Sequence, residues 1–235
     1  MTSAVVLPKS GSADAPKQRQ LPKWVILVTV LALVLAVCLP TVVRYHSRMA
    51  LIRKVEQSGG EVLVARSRSK WLREIVGDEW LRGFGDVISV DAYRSPLSED
   101  DVKQIAGMPS LRWLAVGPSI TDDGLRHVSG LSNLETLVLG GSGITDDGLK
   151  HISGLSKLEV LGLYGLPITD AGVKHTLGLP RLRSLELDAT QITDECLESL
   201  SHSSGLKVLT MHETRVTSEG VTELKKRLPD CEIRH

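Results

Sequence analysis

The sequence predicts an α/β solenoid, in which short parallel strands alternate with helices, preceded by a single transmembrane helix. Three observations support this fold class. The tripeptide Ile-Thr-Asp occurs four times at intervals of 24 residues, at 120–122, 144–146, 168–170 and 192–194. A pattern close to L-x-x-L-x-L precedes each copy, and one stretch of 20 residues, 24–43, carries no charge. A motif that recurs at a fixed period is typical of a repeat architecture.

The uncharged stretch 24–43 has the length of a membrane span. At 1.5 Å per residue a helix of this length covers about 30 Å, the thickness of the hydrocarbon core. A signal peptide is a competing interpretation, but Pro-Thr-Val-Val-Arg follows instead of a small-residue cleavage site. The run Leu35–Cys38 resembles a lipoprotein box, except that Val37 stands where a small residue belongs. We therefore expect an uncleaved anchor. Four Lys or Arg residues lie within 15 residues on either side, so the orientation stays open.

Composition excludes several classes of function. Lys plus Arg number 28 and Asp plus Glu number 28, so the chain lacks the basic excess of a nucleic-acid-binding protein. Cys38, Cys196 and Cys231 form neither a disulfide framework nor a C-x-x-C metal pair.

Five segments follow from these patterns. A Gly-Gly pair at 59–60 ends the helix that follows the span, and Glu61 to Ala65 is a strand candidate. Ser69 to Gly77 is a helix candidate, and Asp78 to Asp86 is an irregular connector. The predicted segments are a disordered tail 1–23, a transmembrane helix 24–43, a juxtamembrane helix 44–57, an N-terminal capping coil 58–86 and the repeats with their C-terminal cap 87–235.

Each repeat contains one strand and one helix. Units begin at Val87, Leu111, Leu134, Leu158, Leu182 and Leu206. Alternating leucines predict a strand with one buried face. The Ile of Ile-Thr-Asp is expected in the core, Thr as the helix N-cap, and Asp beside the positive end of the helix dipole. One coil then supplies seven core residues: Leu134, Leu137, Leu139, Ile144, Leu149, Ile152 and Leu155. Only stacking buries the sides of such a coil.

The motif L-x-x-L-x-L-x-x-[ST]-x-I-T-D-x-G-L resembles a leucine-rich repeat, and the arrangement of anchor, cap and repeats is similar to membrane-anchored bacterial leucine-rich-repeat proteins of unassigned function. Ubiquitin-ligase receptors with related repeats add an F-box, for which this chain leaves no room. The resemblance implies a ladder of polar side chains that bond neighbouring coils, interrupted at Leu166. The positions of that ladder are Ser95, Ser119, Ser142, Leu166, Thr190 and Thr214.

Other clusters are better explained by structure than by chemistry. His127, His151 and His175 share one column of successive helices, which pack about 8–10 Å apart, too far for three ligands to reach one zinc ion. Acidic pairs such as Asp122-Asp123 stand at predicted helix N-termini. The glycines at 140–143 lack the Lys-Ser/Thr of a phosphate loop. We therefore predict no catalytic residue, no metal site, no cofactor and no enzymatic activity.

Residues between the leucines point away from the core and form columns across the sheet. Aromatic and apolar side chains cluster in the first four units, and acidic residues follow in the last two. Aromatic anchors dominate interfaces, so we expect a protein or peptide partner on this concave face. The predicted partner-binding residues are Tyr93, Trp113, Val138, Val160, Tyr164, Glu186, Asp188 and His212.

The sequence therefore predicts a membrane-anchored module for protein–protein interaction. A structural or envelope-associated spacer without a specific ligand is the alternative, and a ubiquitin-ligase-like substrate receptor lacking its F-box is a weaker one. Partner, membrane orientation and oligomeric state do not follow from the sequence.

Overall fold

A computed structural model describes residues 23–65, 74–75, 77–141 and 143–235. It contains two compact units, one up to Val43 and one from Arg44 to His235. The predicted tail, apart from Lys23, lies outside the described residues, as do most of the helix predicted at 69–77 and Ser142.

The first unit contains the beginning of a long helix, α1, which runs from Lys23 to Gln57. Helix α1 covers the whole stretch 24–43. Among the side chains of this stretch whose burial the structure describes, the exposed large apolar ones are Val28, Leu35, Leu39, Val42 and Val43. Within the part of the chain that the structure describes, no helix combines the length and the apolar content that crossing a membrane requires.

The second unit is organised around one sheet of eight strands in chain order. Strands β2 to β8 are all parallel, because a helix or turn returns the chain to the same end of the sheet after each strand. Strand β1 pairs with β2 in the antiparallel sense. The strands are β1 Glu61–Val64, β2 Val87–Ala92, β3 Trp113–Val116, β4 Thr136–Leu139, β5 Val160–Gly162, β6 Ser184–Glu186, β7 Val208–Thr210 and β8 Glu232–Arg234.

A short helix follows each strand from β2 to β7. The expected alternation of parallel strands and helices is therefore confirmed. The helices after α1 are α2 Asp78–Arg82, α3 Glu99–Ala106, α4 Asp122–Val128, α5 Asp146–Leu149 with a 3₁₀ turn Lys150–Ile152, α6 Asp170–Thr176, α7 Glu195–Leu200 and α8 Ser218–Arg227.

The core lies between the sheet and the helices and is continuous along the repeats. All seven core residues predicted for the third coil are fully buried, from Leu134 to Leu155. Each buried aliphatic side chain of this size contributes about 1.5–3 kcal/mol. Since each coil presents these residues to its neighbours on both sides, they become buried only when the coils stack.

The C-terminal part of α1 closes the N-terminal end of this core. Met49, Leu51, Ile52 and Val55 are buried and belong to the same apolar cluster as the repeats. The ammonium group of Lys54 lies 2.5 Å from the Asp101 carboxylate of α3. The segment that the sequence marks as a juxtamembrane helix thus covers the end of the first coil.

The prediction of an irregular connector at 78–86 is wrong for its first five residues, which form the helix α2. Gly77, with φ of 83°, adopts the left-handed conformation just before this helix. The guanidinium of Arg82 lies 2.5 Å from Glu56 of α1. A helix of five residues has too little periodicity to be detected in the sequence, and tertiary contacts of this kind stabilise it.

Candidate functional site

The sheet has one face in the core and one that points away from it, here called the outer face. Strand pairing places its residues in two columns. The first column contains Leu63, Ser89, Trp113, Thr136, Val160, Ser184, Val208 and Glu232. The second contains Glu61, Asp91, Ala115, Val138, Gly162, Glu186, Thr210 and Arg234. The columns derived from the repeat alignment are therefore confirmed for β2 to β7.

Glu61 and Leu63 are outer-face residues that the repeat alignment missed. They belong to the antiparallel strand β1, which lies outside the 24-residue period. Leu63 pairs with Ser89 and Glu61 with Asp91, and Leu63 is 54% exposed. Alternation within Glu61–Val64, with Val62 buried, is the signal that could have placed them.

Tyr93 lies flat at the end of the face rather than projecting from it. A Cβ atom added to Gly140 would lie 2.5 Å from the Tyr93 hydroxyl and 2.6 Å from its ring. Such an atom at Gly117 would collide with the Tyr93 backbone. The glycines at these two positions thus make room for the tyrosine, which is half-buried.

Tyr164 is the most exposed of the predicted anchors, at 53%. Trp113, Val138 and Val160 are half-buried. Neighbouring strands are about 4.8 Å apart. The three side chains on β3, β4 and β5 and that of Tyr164, two residues after the end of β5, therefore lie along one apolar stripe. We call it the apolar stripe below.

A left-handed residue follows the strand in four successive coils, at Gly141, Gly165, Ala189 and Glu213, with φ between 55° and 66°. This turn sets the direction in which the preceding residue leaves the sheet. Tyr164, Asp188 and His212 therefore occupy equivalent positions in successive coils. The main chains of neighbouring coils are hydrogen-bonded at this turn, where the N–H of Gly165 donates to the carbonyl of Asp188.

Two acidic residues of the face differ in how their carboxylates are used. Asp188 accepts hydrogen bonds from the Thr210 hydroxyl and from the N–H of His212, both at 2.6 Å. Its charge therefore orders the turn of the next coil. Glu186 is half-buried, and a Cβ at Gly162 would lie 3.3 Å from both its Oε2 atom and a methyl of Val138. The Glu186 carboxylate thus leans over Gly162 towards the apolar stripe.

The Asp of Ile-Thr-Asp does more than stabilise its own helix. Each carboxylate accepts two hydrogen bonds from the Thr of the next coil, one from its N–H and one from its hydroxyl. Asp146, for example, accepts them from Thr169 at 2.9 and 2.6 Å. The four rungs of this ladder join Asp122 to Thr145, Asp146 to Thr169, Asp170 to Thr193 and Asp194 to Thr217.

The Gly two residues after the Asp leaves space for the rung. A Cβ at Gly148 or Gly172 would collide with the carboxylate of the preceding coil, and at Gly220 it would lie 2.6 Å from Asp194 Oδ1. Cys196 occupies this position in the fifth coil and is buried. Burial, and then the nearby Asp170 charge, raise the pKa of the Cys196 thiol far above its usual value, so it is packed rather than reactive.

The predicted caps are confirmed in three coils. The hydroxyls of Thr145, Thr169 and Thr217 accept a hydrogen bond from an N–H in the first turn of the following helix. Thr193 also accepts a hydrogen bond from the N–H of Glu195, although the N-cap position of α7 is Asp194. In the fully described helix α4, Thr121 stands at the N-cap as predicted, but its side chain makes no cap hydrogen bond, so only the expected bond is wrong there.

The polar ladder implied by the Asn position of leucine-rich repeats is only partly present. Ser119 bonds the neighbouring coil, donating to the carbonyl of Ser95 and accepting from the N–H of Leu97. The hydroxyls of Thr190 and Thr214 instead donate within their own coils, so the expectation is wrong for both. The methyl group of Thr restricts its χ1 angle, and the Asp–Thr rungs already join these coils.

The column of histidines lies on the helix side. His127 is half-exposed and its Nε2 lies 3.4 Å from Glu99 of α3. Among the described residues, no three His, Cys, Asp or Glu side chains come together as ligands for a metal ion.

The strand spacing, the leucine core and the parallel sheet together define the architecture of residues 87–235. It is a leucine-rich-repeat solenoid. No protein-family model matches the sequence. A search of curated proteins also gives no match.

Several solved structures are similar to this solenoid. The leucine-rich-repeat protein LIC12759 of Leptospira interrogans is 24% identical with a TM-score of 0.45, over 63% of this chain and 37% of its own. Internalin C2 of Listeria monocytogenes is 18% identical with a TM-score of 0.48, over 66% of this chain and 72% of its own. An internalin, inlF, of the same organism is 20% identical with a TM-score of 0.41, over 56% and 43%. The chain thus spans little more than a third of the Leptospira protein, and likeness at this level says nothing about partners.

Proposed function

We propose that this chain is a membrane-anchored module that binds a protein or peptide partner through the outer face of its sheet. The single observation that carries the proposal is the apolar stripe. Helices cover the inner face of the sheet, whereas Trp113, Val138, Val160 and Tyr164 remain accessible on the other. Aromatic side chains on an accessible strand surface are the groups that most often carry binding energy in protein interfaces. We assign the module no catalytic activity.

The anchor part of the proposal rests on residues 24–43. Thirteen of them are Leu, Ile or Val, which favour insertion by about 0.3–0.6 kcal/mol each. The whole stretch is helical within α1, and its apolar side chains at Val28, Leu35 and Leu39 are exposed. A lipid environment would cover these side chains, and the helix satisfies its backbone groups internally except at Pro40, which has no N–H to donate.

Site-specific photocrosslinking tests the binding face. A photoreactive amino acid is placed at Thr136, between Trp113 and Val160 in the first column, or at the exposed Lys174 of α6 as a control. We expect discrete protein adducts from position 136 in cells, absent from position 174 and lost when Tyr164→Ala and Trp113→Ala are combined. Equal adducts from both positions would contradict the proposal.

Vesicle flotation tests the anchor separately. The full chain is expected to float with lipid vesicles and to resist extraction at high pH, whereas a chain without residues 24–43 is expected to stay in the soluble fraction. Flotation of both proteins to the same extent would rule out this segment as the anchor.

A further inference from the structure

We infer that the outer face binds an extended segment of its protein partner in which a Lys or Arg lies close to an apolar side chain. The cation pairs with Glu186 and the apolar group packs on Tyr164 and Val138. The inference rests on the proposed function, which it deepens by naming the chemistry of the partner.

The first argument is the state of the Glu186 carboxylate. Among the described residues, no hydrogen-bond donor or cation reaches it, although it is half-buried on the sheet. Its Oε2 atom and a methyl of Val138 converge over Gly162, so the carboxylate lies beside apolar surface. A carboxylate in such a place gains most from a cation that arrives with a ligand, because the local dielectric is lower than in water.

The second argument is the charge of the face as a whole. The complete chain has a formal net charge of zero. The two columns and the residues just beyond the strands, such as Tyr164, Asp188 and His212, nevertheless carry five carboxylates and one guanidinium. The guanidinium is that of Arg234, which lies 2.8 Å from the Glu232 carboxylate. The carboxylates are Glu61, Asp91, Glu186, Asp188 and Glu232. A partner of opposite charge fits this face, and complementary charge both steers and selects partners.

The third argument is the spacing between the acid and the apolar stripe. Glu186 is the strand neighbour of Gly162, and Tyr164 lies two residues beyond Gly162. One strand spacing and two residues along a strand separate Tyr164 from Glu186, which is about 8 Å between Cα atoms. Alternate residues of an extended peptide are about 7 Å apart. A segment with an apolar residue two places from a Lys or Arg therefore matches both groups at once.

Asp188 is not the residue that selects the cation. Both of its oxygens already accept short hydrogen bonds, from Thr210 and from the N–H of His212. Its replacement would disturb a turn as well as a charge, whereas Glu186→Gln removes the charge and keeps the shape.

A displayed library of random linear peptides, selected on the purified full chain in detergent, tests the inference. We expect the selected peptides to be enriched in Lys or Arg two positions from an aromatic or aliphatic residue. Synthetic copies should bind Glu186→Gln about tenfold more weakly, because a charge-assisted pair is lost. Their affinity should fall with salt and should not change for Glu223→Gln, a glutamate on helix α8.

The outcomes separate the two proposals. Peptides without a cation bias, or peptides that bind Glu186→Gln as well as the parent chain, overturn this inference, and the binding face still stands if Tyr164→Ala weakens them. Peptides that are unaffected by both Glu186→Gln and Tyr164→Ala overturn the binding face as well. Far-UV circular dichroism of each variant establishes that the fold is intact.

Discussion

The rung between Asp146 and Thr169 gives a quantitative test of how the coils are joined. Asp146→Ala removes two hydrogen bonds to a carboxylate, each worth about 1.5–3 kcal/mol when well formed. Both groups are partly solvent-exposed, so screening reduces the total, and we expect a loss of about 2–4 kcal/mol in the free energy of unfolding. Urea denaturation followed by far-UV circular dichroism measures it.

Asp147→Ala is the matched control. Asp147 lies next to Asp146 in the first turn of α5, but its carboxylate is exposed and pairs with Lys150 on the same helical surface. Its loss removes a surface ion pair and a favourable interaction with the helix dipole, together about 0.5–1 kcal/mol. If Asp146→Ala lowers the free energy of unfolding no more than Asp147→Ala does, the helix dipole accounts for the effect of both carboxylates and the Asp–Thr ladder contributes nothing.

Gly172→Ala tests the same rung from the other side. Its Cβ would collide with Asp146 Oδ1, and overpacking of this kind costs about 1–3 kcal/mol. In the Asp146→Ala background the carboxylate is gone and one close contact remains, with a methyl of the buried Ile168 at 2.8 Å from the added Cβ, while Ala favours the helix by about 1 kcal/mol over Gly. Gly172→Ala should therefore lower the free energy of unfolding by less in the Asp146→Ala background than in the parent chain. If the free-energy changes of Gly172→Ala and Asp146→Ala simply add in the double variant, then the added Cβ at position 172 and the Asp146 carboxylate do not compete for the same space.

Three further predictions follow from single residues. Burial alone would raise the pKa of Asp101, but hydrogen bonds from Lys54 and Ser98 together lower it below its usual 3.8. Because this pKa is lowered on folding, the stability it contributes is present above 3.8 and is lost as the pH falls through the lowered value. The free energy of unfolding from urea titrations should therefore fall less between neutral and acidic pH in Asp101→Asn than in the parent chain. Gly165→Ala should lower the free energy of unfolding by about 1 kcal/mol, because Gly165 has a φ of 66°. Gly178→Ala is the control: its Cβ would meet no atom within 4 Å, so urea titration should show a neutral or stabilising effect. The buried thiol of Cys196, with its raised pKa, should resist iodoacetamide in the folded protein and react after denaturation, as followed by mass spectrometry; rapid alkylation of the folded protein would contradict the packing described here.

The repeat pattern predicts the core and the columns of the outer face because successive side chains of a strand point to opposite faces of the sheet. Leu137 and Leu139 face inward, so Thr136 and Val138 must face outward. Period alone places these residues, and no tertiary information is needed.

The details of the outer face depend on contacts between coils, which a single repeat does not contain. The sequence treats Asp188 and Glu186 alike, yet the first is bonded by the next coil and the second is not. Tyr93 is predicted as an anchor like Tyr164, yet glycines in the two following coils let it lie flat. In the cap, β1 reverses direction, which places Glu61 and Leu63 on the face without any repeat signal.

The Asp–Thr rungs also define what counts as one module of this chain. Each Asp is hydrogen-bonded by the Thr of the following coil and lies in space left by that coil's small residue. Each Ile-Thr-Asp motif is therefore completed by the next copy along the chain. Removing 24 residues anywhere between Asp122 and Thr217 joins an Asp to an equivalent Thr and restores every remaining rung. Removing 23 or 25 would set the carboxylate against the wrong backbone. Between Asp122 and Thr217 the chain can be lengthened or shortened without loss of a rung only by whole coils, so its length along the sheet changes in steps of one strand spacing.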